Sequence, residues 1–177
     1  MIRLFVALEI PTDLRSRLSL LQGGVPGARW VTAEQYHLTL RFIGEVNESV
    51  ARDIDDILSA LHAACFMVEI TGVGEFGGKL PRALWAGIRP CSELVHLQKK
   101  IESAIQRLGL PAEERKFTPH VTLARLRNSP SKKVMDFVGH NSSFTGGAFE
   151  ATRFALFSSH LGSTGAVYNV EQVYPLG

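Results

Sequence analysis

The sequence predicts an α+β fold with mostly antiparallel strands. Short apolar or alternating runs of strand length recur along the whole chain, and helices with one apolar face are set among them. Several neighbouring strand candidates are joined by loops too short for a parallel crossover. No stretch is low-complexity and no linker separates independent units, so residues 1–177 are expected to form a single domain.

The elements follow in order. Arg3-Leu4-Phe5-Val6-Ala7-Leu8 reads as a buried strand closed by Pro11. Leu14, Leu18 and Leu21 recur at helical spacing until Gly23-Gly24 stops them. Residues 28–31 and 37–43 read as strands. Asn47 is placed to cap a helix whose apolar face is Val50, Ile54, Ile57 and Leu61. Residues 66–76 and 82–89 are strands joined by the hairpin loop Gly77-Gly78-Lys79-Leu80-Pro81. Leu94, Leu97, Ile101, Ile105 and Leu108 mark a helix ended by Gly109 and Pro111. The second half then gives a strand over 120–126, a short helix near 131–139, and strands near 142–150, 152–159 and 167–174.

Composition narrows the function. Hydrophobic residues make up 45% of the chain and charged ones 20%, which excludes intrinsic disorder. No apolar run approaches the ~18 residues a membrane helix needs. Glu9 and Pro11 interrupt the opening apolar run, and no small-residue cleavage site follows, so a cytoplasmic protein with no membrane partner is expected. Nineteen Lys and Arg against seventeen Asp and Glu give a net charge of +2. A protein that coats nucleic acid carries a larger basic excess. A nucleic-acid substrate would therefore be held locally, at one phosphate or one end. Cys65 and Cys91 lack metal-type spacing and read as reduced residues in or near the core.

The informative feature is an internal repeat. His37-Leu38-Thr39-Leu40 and His120-Val121-Thr122-Leu123 share a pattern, lie on predicted strands and are separated by close to half the chain. Side chains alternate on a strand, so each copy sets an imidazole and a hydroxyl on one face and sends Leu38, Leu40, Val121 and Leu123 to the core. Two imidazoles facing each other suit in-line attack on a phosphodiester, which needs a base on one side of phosphorus and an acid on the other. Imidazole titrates near neutrality and serves in either role. Hydroxyls and a cation can hold the non-bridging oxygens. A metal site is the competing reading, but neither copy has a carboxylate or further His at short spacing.

The duplicated motif resembles the signature of the RNA 2′,3′-cyclic phosphodiesterase (2′-5′ RNA ligase) family of the two-histidine phosphoesterase superfamily. Arg3-Leu4-Phe5-Val6-Ala7-Leu8, Ala28-Arg29-Trp30-Val31, Leu84-Trp85-Ala86-Gly87, Phe117-Thr118-Pro119 and Ala124-Arg125 fit the same family, so the resemblance covers nearly the whole chain. It implies two pseudo-symmetric lobes with mostly antiparallel sheets flanking a central cleft, and helices on the outside. It implies hydrolysis of RNA 2′,3′-cyclic phosphate ends to 2′-phosphomonoesters without metal or cofactor, with reversible 2′-5′ ligation as a secondary activity; the chain is expected to be a monomer. In that frame His37 is the proton donor and His120 the proton acceptor. The residues themselves specify an acid–base pair without its direction. The alternatives are a cyclic phosphodiesterase of small nucleotides and an RNA-end binding module without turnover.

Thr39, Thr122 and Arg125 are expected to bind phosphate. Phe42 and Arg125 stand at matching offsets from His37 and His120 and are expected to stack on a terminal base, provided a bulge re-aims them onto the histidine face; otherwise Phe42 is core. Arg41 shares strand parity with His37 and is read as solvated, with RNA contact as the alternative. Trp30 reads as core. His62, His96, His140 and His160 read as structural or solvated, and the glycine pairs as turns without P-loop context.

Overall fold

The computed structural model describes all of residues 1–177. Nine strands and four helices follow one another: β1 (Ile2–Glu9), α1 (Thr12–Ser19), β2 (Ala28–Trp30), a 3₁₀ turn (Ala33–Gln35), β3 (His37–Val46), α2 (Glu48–Ser59), β4 (Phe66–Phe76), β5 (Ala83–Ile88), α3 (Ser92–Arg107), β6 (His120–Leu126), α4 (Ser131–His140), β7 (Thr145–Ala151), β8 (Arg153–Gly162) and β9 (Gly165–Pro175). The strands join in one antiparallel sheet of order β7-β4-β5-β6-β3-β1-β8-β9, with β2 added to β6. Read from the middle outward, β3-β1-β8-β9 mirrors β6-β5-β4-β7. This is the expected pair of pseudo-symmetric lobes.

The repeat is not two separate blocks. Strands cross between the halves: β4 joins the lobe of β5 and β6, and β8 joins the lobe of β1 and β3. The helices bury their apolar faces against one side of the sheet. Leu14 and Leu18 of α1, Ile54 and Leu58 of α2, Leu94, Leu97 and Ile101 of α3, and Val134 and Phe137 of α4 share one core with Leu38, Leu40, Val121 and Leu123. Asn47 caps α2 as its side chain predicts, with Oδ1 accepting from the Val50 N–H at 2.9 Å. Leu21 and Leu61 fall just beyond the ends of α1 and α2 and pack, half-buried, against the core. The 3₁₀ turn has no apolar periodicity to announce it; a backbone bond from the Gln35 N–H to the Thr32 carbonyl closes it at 3.0 Å.

Two bulges, one in each copy of the motif, decide which side chains face the cleft. Ala7 pairs with Thr39 but Val6 with Arg41, so Leu40 is an extra residue in β3. Trp85 pairs with Thr122 but Leu84 with Ala124, so Leu123 is an extra residue in β6. The parity of both strands slips by one at the same motif position. Leu40 and Arg41 both turn inward, as do Leu123 and Ala124. Phe42 and Arg125 then return to the histidine side, opposite Phe5 and Ala83.

Arg41 is therefore neither solvated nor on the cleft. It is 7% exposed. Its guanidinium donates to the Glu102 carboxylate on α3 and to the carbonyls of Phe42 and Pro111. Glu102 also accepts from the Glu113 N–H at 3.0 Å, so this pair ties β3 to α3 and to the loop beyond it. Breaking a buried pair by removing one partner leaves an uncompensated charge. Arg41→Gln is expected to lower stability by about 3 kcal/mol in urea titration while leaving KM unchanged; a KM defect without loss of stability would restore a substrate-contact role.

Candidate active site

β3 and β6 meet at one registered antiparallel position, Leu38 opposite Val121. One residue to either side, the antiparallel register sets His37 across from Thr122 and Thr39 across from His120. Directly opposite residues share a face, so the two imidazoles and two hydroxyls form a four-cornered patch on the side away from the helices. All four residues are half-buried. β2 takes up the next stretch of β6, pairing with Ala124, Arg125 and Leu126.

The two histidines are held alike. His37 Nδ1–H donates to the Gln35 carbonyl at 2.7 Å, and His120 Nδ1–H donates to the Thr118 carbonyl at 2.6 Å. A carbonyl only accepts, so Nδ1 carries the proton in both rings and Nε2 is left for chemistry. Residues i−2 supply both bonds, so the segment entering each strand fixes the tautomer of its own histidine.

Each ring is then packed by aromatic side chains of its lobe. His37 lies 4.9 Å from Phe5, 6.2 Å from Phe157 and 5.2 Å, edge-on, from Tyr168. Phe5, Ala7, Ala155 and Phe157 form a second, smaller core on the cleft side of the sheet. His120 stands edge-on to Phe76 at 5.0 Å and 6.2 Å from Trp85. The Trp85 indole lies across Gly74, where a Cβ would sit 2.2 Å from the ring, so a glycine is required on β4 for the indole to lie flat.

Burial disfavours the imidazolium and pushes the His37 pKa down to about 4. The Gln35 carbonyl opposes this shift, while the charges of His120, Arg125 and Arg15 add to it. His120 is lowered for the same leading reason, with its Thr118 bond opposing and Arg125 contributing. Glu9, registered opposite His37, is engaged by Arg153 at 3.1 Å.

Arg125 is exposed and acts electrostatically on both histidines. Phe42 is 44% exposed and contacts Phe5, ring centroids 5.8 Å apart, the same Phe5 that packs on His37. Phe42 and Arg125 thus flank the patch on its two strands. Trp30 packs on Phe137 beneath the sheet. His62, His96, His140 and His160 are exposed and lie outside the patch, and Cys65 and Cys91 are free and half-buried. Sequence reasoning missed the aromatic collars and Arg15. Arg15, on α1, donates its Nε–H to the Ile10 carbonyl at 2.6 Å and reaches His37 only through its charge.

A bilobal antiparallel sheet with one His-x-Thr pair from each half at its centre defines a two-histidine phosphoesterase class of protein. The chain belongs to the 2′-5′ RNA ligase superfamily, whose family model matches residues 11–162. It is 31% identical to the RNA 2′,3′-cyclic phosphodiesterase of Archaeoglobus fulgidus, over 97% of this chain and 99% of that protein. It is 34% identical to the enzyme of the same name from Aeropyrum pernix, over 87% and 89% of the two chains. Among solved structures, Escherichia coli LigT complexed with 3′-AMP has the same fold, with a TM-score of 0.84, 24% identity and coverage of 99% and 98%.

The shifted histidine couples pH to stability. An imidazole with an unfolded pKa near 6.5 and a folded value of about 4 takes up its proton in the unfolded chain first as pH falls. Its contribution is complete above pH 6.5 and is lost between there and about pH 4. His37→Phe is expected to flatten the drop in urea midpoint between pH 7 and pH 5. An unchanged drop would show that His37 is not held in its neutral form by the fold.

Proposed function

We propose that this protein hydrolyses RNA 2′,3′-cyclic phosphate ends to 2′-phosphomonoesters by acid–base catalysis between its two histidines, without a metal ion. The observation that carries the reading is the single β3–β6 register, which sets two Nδ1-anchored imidazoles and two threonine hydroxyls on one face. Relatives of the same length that bear the name RNA 2′,3′-cyclic phosphodiesterase support the substrate class.

The cyclic phosphate lies between the two rings. His120 Nε2 takes a proton from water as the water attacks phosphorus from one side. His37 Nε2 delivers a proton to the departing 3′ oxygen on the other. Thr39, Thr122 and Arg125 hold the non-bridging oxygens as negative charge redistributes. Phe42 and Arg125 receive the terminal base. The direction of proton flow follows the family resemblance. Burial pushes the free-enzyme pKa of His37 down to about 4, so its acid role depends on the arriving phosphate anion, which favours the imidazolium. With a 5′-hydroxyl in place of water, the same attack would form a 2′-5′ linkage and free the 3′-hydroxyl; run backwards, the same pair would cleave that linkage to the cyclic phosphate.

The deciding experiment is incubation with an RNA bearing a 2′,3′-cyclic phosphate in the presence of EDTA, with end mapping of the product. A 2′-phosphate is expected; no reaction, or a strict metal requirement, overturns the reading. His37→Ala and His120→Ala are each expected to lower kcat by about 10²–10⁴-fold with the fold intact by circular dichroism. Near-native turnover in either variant would remove that histidine from the mechanism. In the wild type, kcat/KM should fall as pH rises above about 6.5, because the free enzyme must carry a proton on an imidazole whose pKa lies below that value. With phosphate bound, kcat should hold to higher pH. Thr39→Val and Thr122→Val remove one hydrogen bond to a charged group and are each expected to lower kcat/KM by about 10–150-fold; full activity in both would take the hydroxyls off the phosphate.

A further inference from the structure

We propose that Arg29, seated beside Arg125, forms a second phosphate subsite that takes the phosphodiester on the 5′ side of the reacting cyclic phosphate. The proposal rests on the function proposed above and deepens it, since it makes an oligonucleotide rather than a mononucleotide the preferred substrate.

β2 runs antiparallel to β6 with Arg29 opposite Arg125 and Trp30 opposite Ala124. Opposite residues share a face. Trp30 and Ala124 go to the helix side, where Trp30 packs on Phe137 and Ala124 is fully buried. Arg29 and Arg125 therefore project together on the cleft side, and both are exposed. This placement depends on the bulge at Leu123; without it Arg125 and its neighbour would face the core.

Two like charges directly opposite one another on a sheet are destabilising. Here nothing offsets them. The ion pairs of the molecule join Arg41 to Glu102, Arg89 to Glu69, Arg115 to Glu113 and Arg153 to Glu9, and none includes Arg29 or Arg125. An arginine pair with no carboxylate is complementary to an anion from outside the protein, and the planar fork of guanidinium suits phosphate oxygens.

The position also gives a direction. Arg125 lies close enough to the reacting centre for its charge to lower both histidines, whereas Arg29 does not figure among the charges acting on either. Arg29 stands one strand farther out. Its Nη2 would be the only neighbour, at 4.0 Å, of a Cβ added at Gly165, at the tip of the β8–β9 hairpin contributed by the other lobe. The Gln35 side chain ties that hairpin to the entry of β3 by donating to the Ala166 carbonyl. Arg29 thus marks the place where the cleft continues between the lobes, past the reacting phosphate. The strand that carries it is short and is anchored by Gly27, which has a positive φ of 78° and where a Cβ would lie 2.3 Å from the Arg127 carbonyl oxygen.

The test compares substrates with one and with several phosphates. For Arg29→Gln, the ratio of kcat/KM on a trinucleotide ending in a 2′,3′-cyclic phosphate to that on a 2′,3′-cyclic mononucleotide is expected to fall about tenfold, as for loss of one charged hydrogen bond. In the wild type, replacing the adjacent phosphodiester by a neutral methylphosphonate should give the same fall, and combining the two changes should add little. Arg29→Lys should keep most of the ratio. A binding series with a 12-nucleotide RNA carrying a 2′-phosphate end supplies a readout independent of turnover. The slope of log Kd against log salt should be smaller by about 0.7 in Arg29→Gln. An unchanged ratio, full multiplication of the two effects, or an unchanged salt slope would overturn the subsite. Absence of wild-type turnover on both cyclic substrates would instead overturn the proposed reaction, with the salt slope still deciding whether Arg29 binds phosphate.

Discussion

The chemistry of this molecule depends on the place where β3 meets β6. One registered pair, Leu38 with Val121, sets the two halves in phase. Both side chains are fully buried beneath the sheet, and the core that holds them draws on all four helices. A slip of one residue at this junction would turn Leu38 or Val121 to water and one histidine to the core. The apolar cost of that exchange enforces the polar arrangement on the other face. The geometry of the His–Thr patch is in this sense a by-product of packing: the hydrophobic side of the sheet positions residues that never touch it.

The junction is also short. β3 and β6 part after it, and β2 pairs with β6 beyond the gap. A continuous ladder would have filled the centre of the sheet and left the two imidazoles on a flat surface. Divergence gives each histidine its own aromatic wall, Phe5, Phe157 and Tyr168 for one and Phe76 and Trp85 for the other. The walls differ, and burial lowers the pKa of both rings. His37 is pushed down to about 4, with burial as the leading cause. Two residues from one repeated motif thus stand in different surroundings, as the proposed division of acid and base roles would require.

Much of this was legible in the sequence. The repeat, the order of the elements, the inward Leu and Val positions and the shared face of each His–Thr pair follow from side-chain periodicity alone. Strict alternation failed at Arg41, because counting residues places it with His37 while the extra Leu40 turns it inward to Glu102. The same slip brings Phe42 and Arg125 to the cleft. A trace of it is present in Leu123-Ala124, two consecutive apolar residues where alternation calls for one. In the first copy the inward neighbour of the bulge is a charged Arg41, and the trace is erased. The aromatic walls and Arg15 were hidden for a different reason. The walls come from strands distant in sequence, which the sheet order places beside the histidines, and Arg15 acts from a helix through its charge alone.

The exchange of strands between the halves has a consequence for how the chain comes apart. Because β4 completes the lobe of β5 and β6, and β8 completes the lobe of β1 and β3, neither half of the sequence contains a whole lobe. A cut between β4 and β5 would leave two fragments, each with open sheet edges and a core lacking its cover. The duplication visible in the motifs is therefore not a division into modules. The lobes are interlocked like clasped hands, and cooperativity of unfolding across the cleft is built into the connectivity itself.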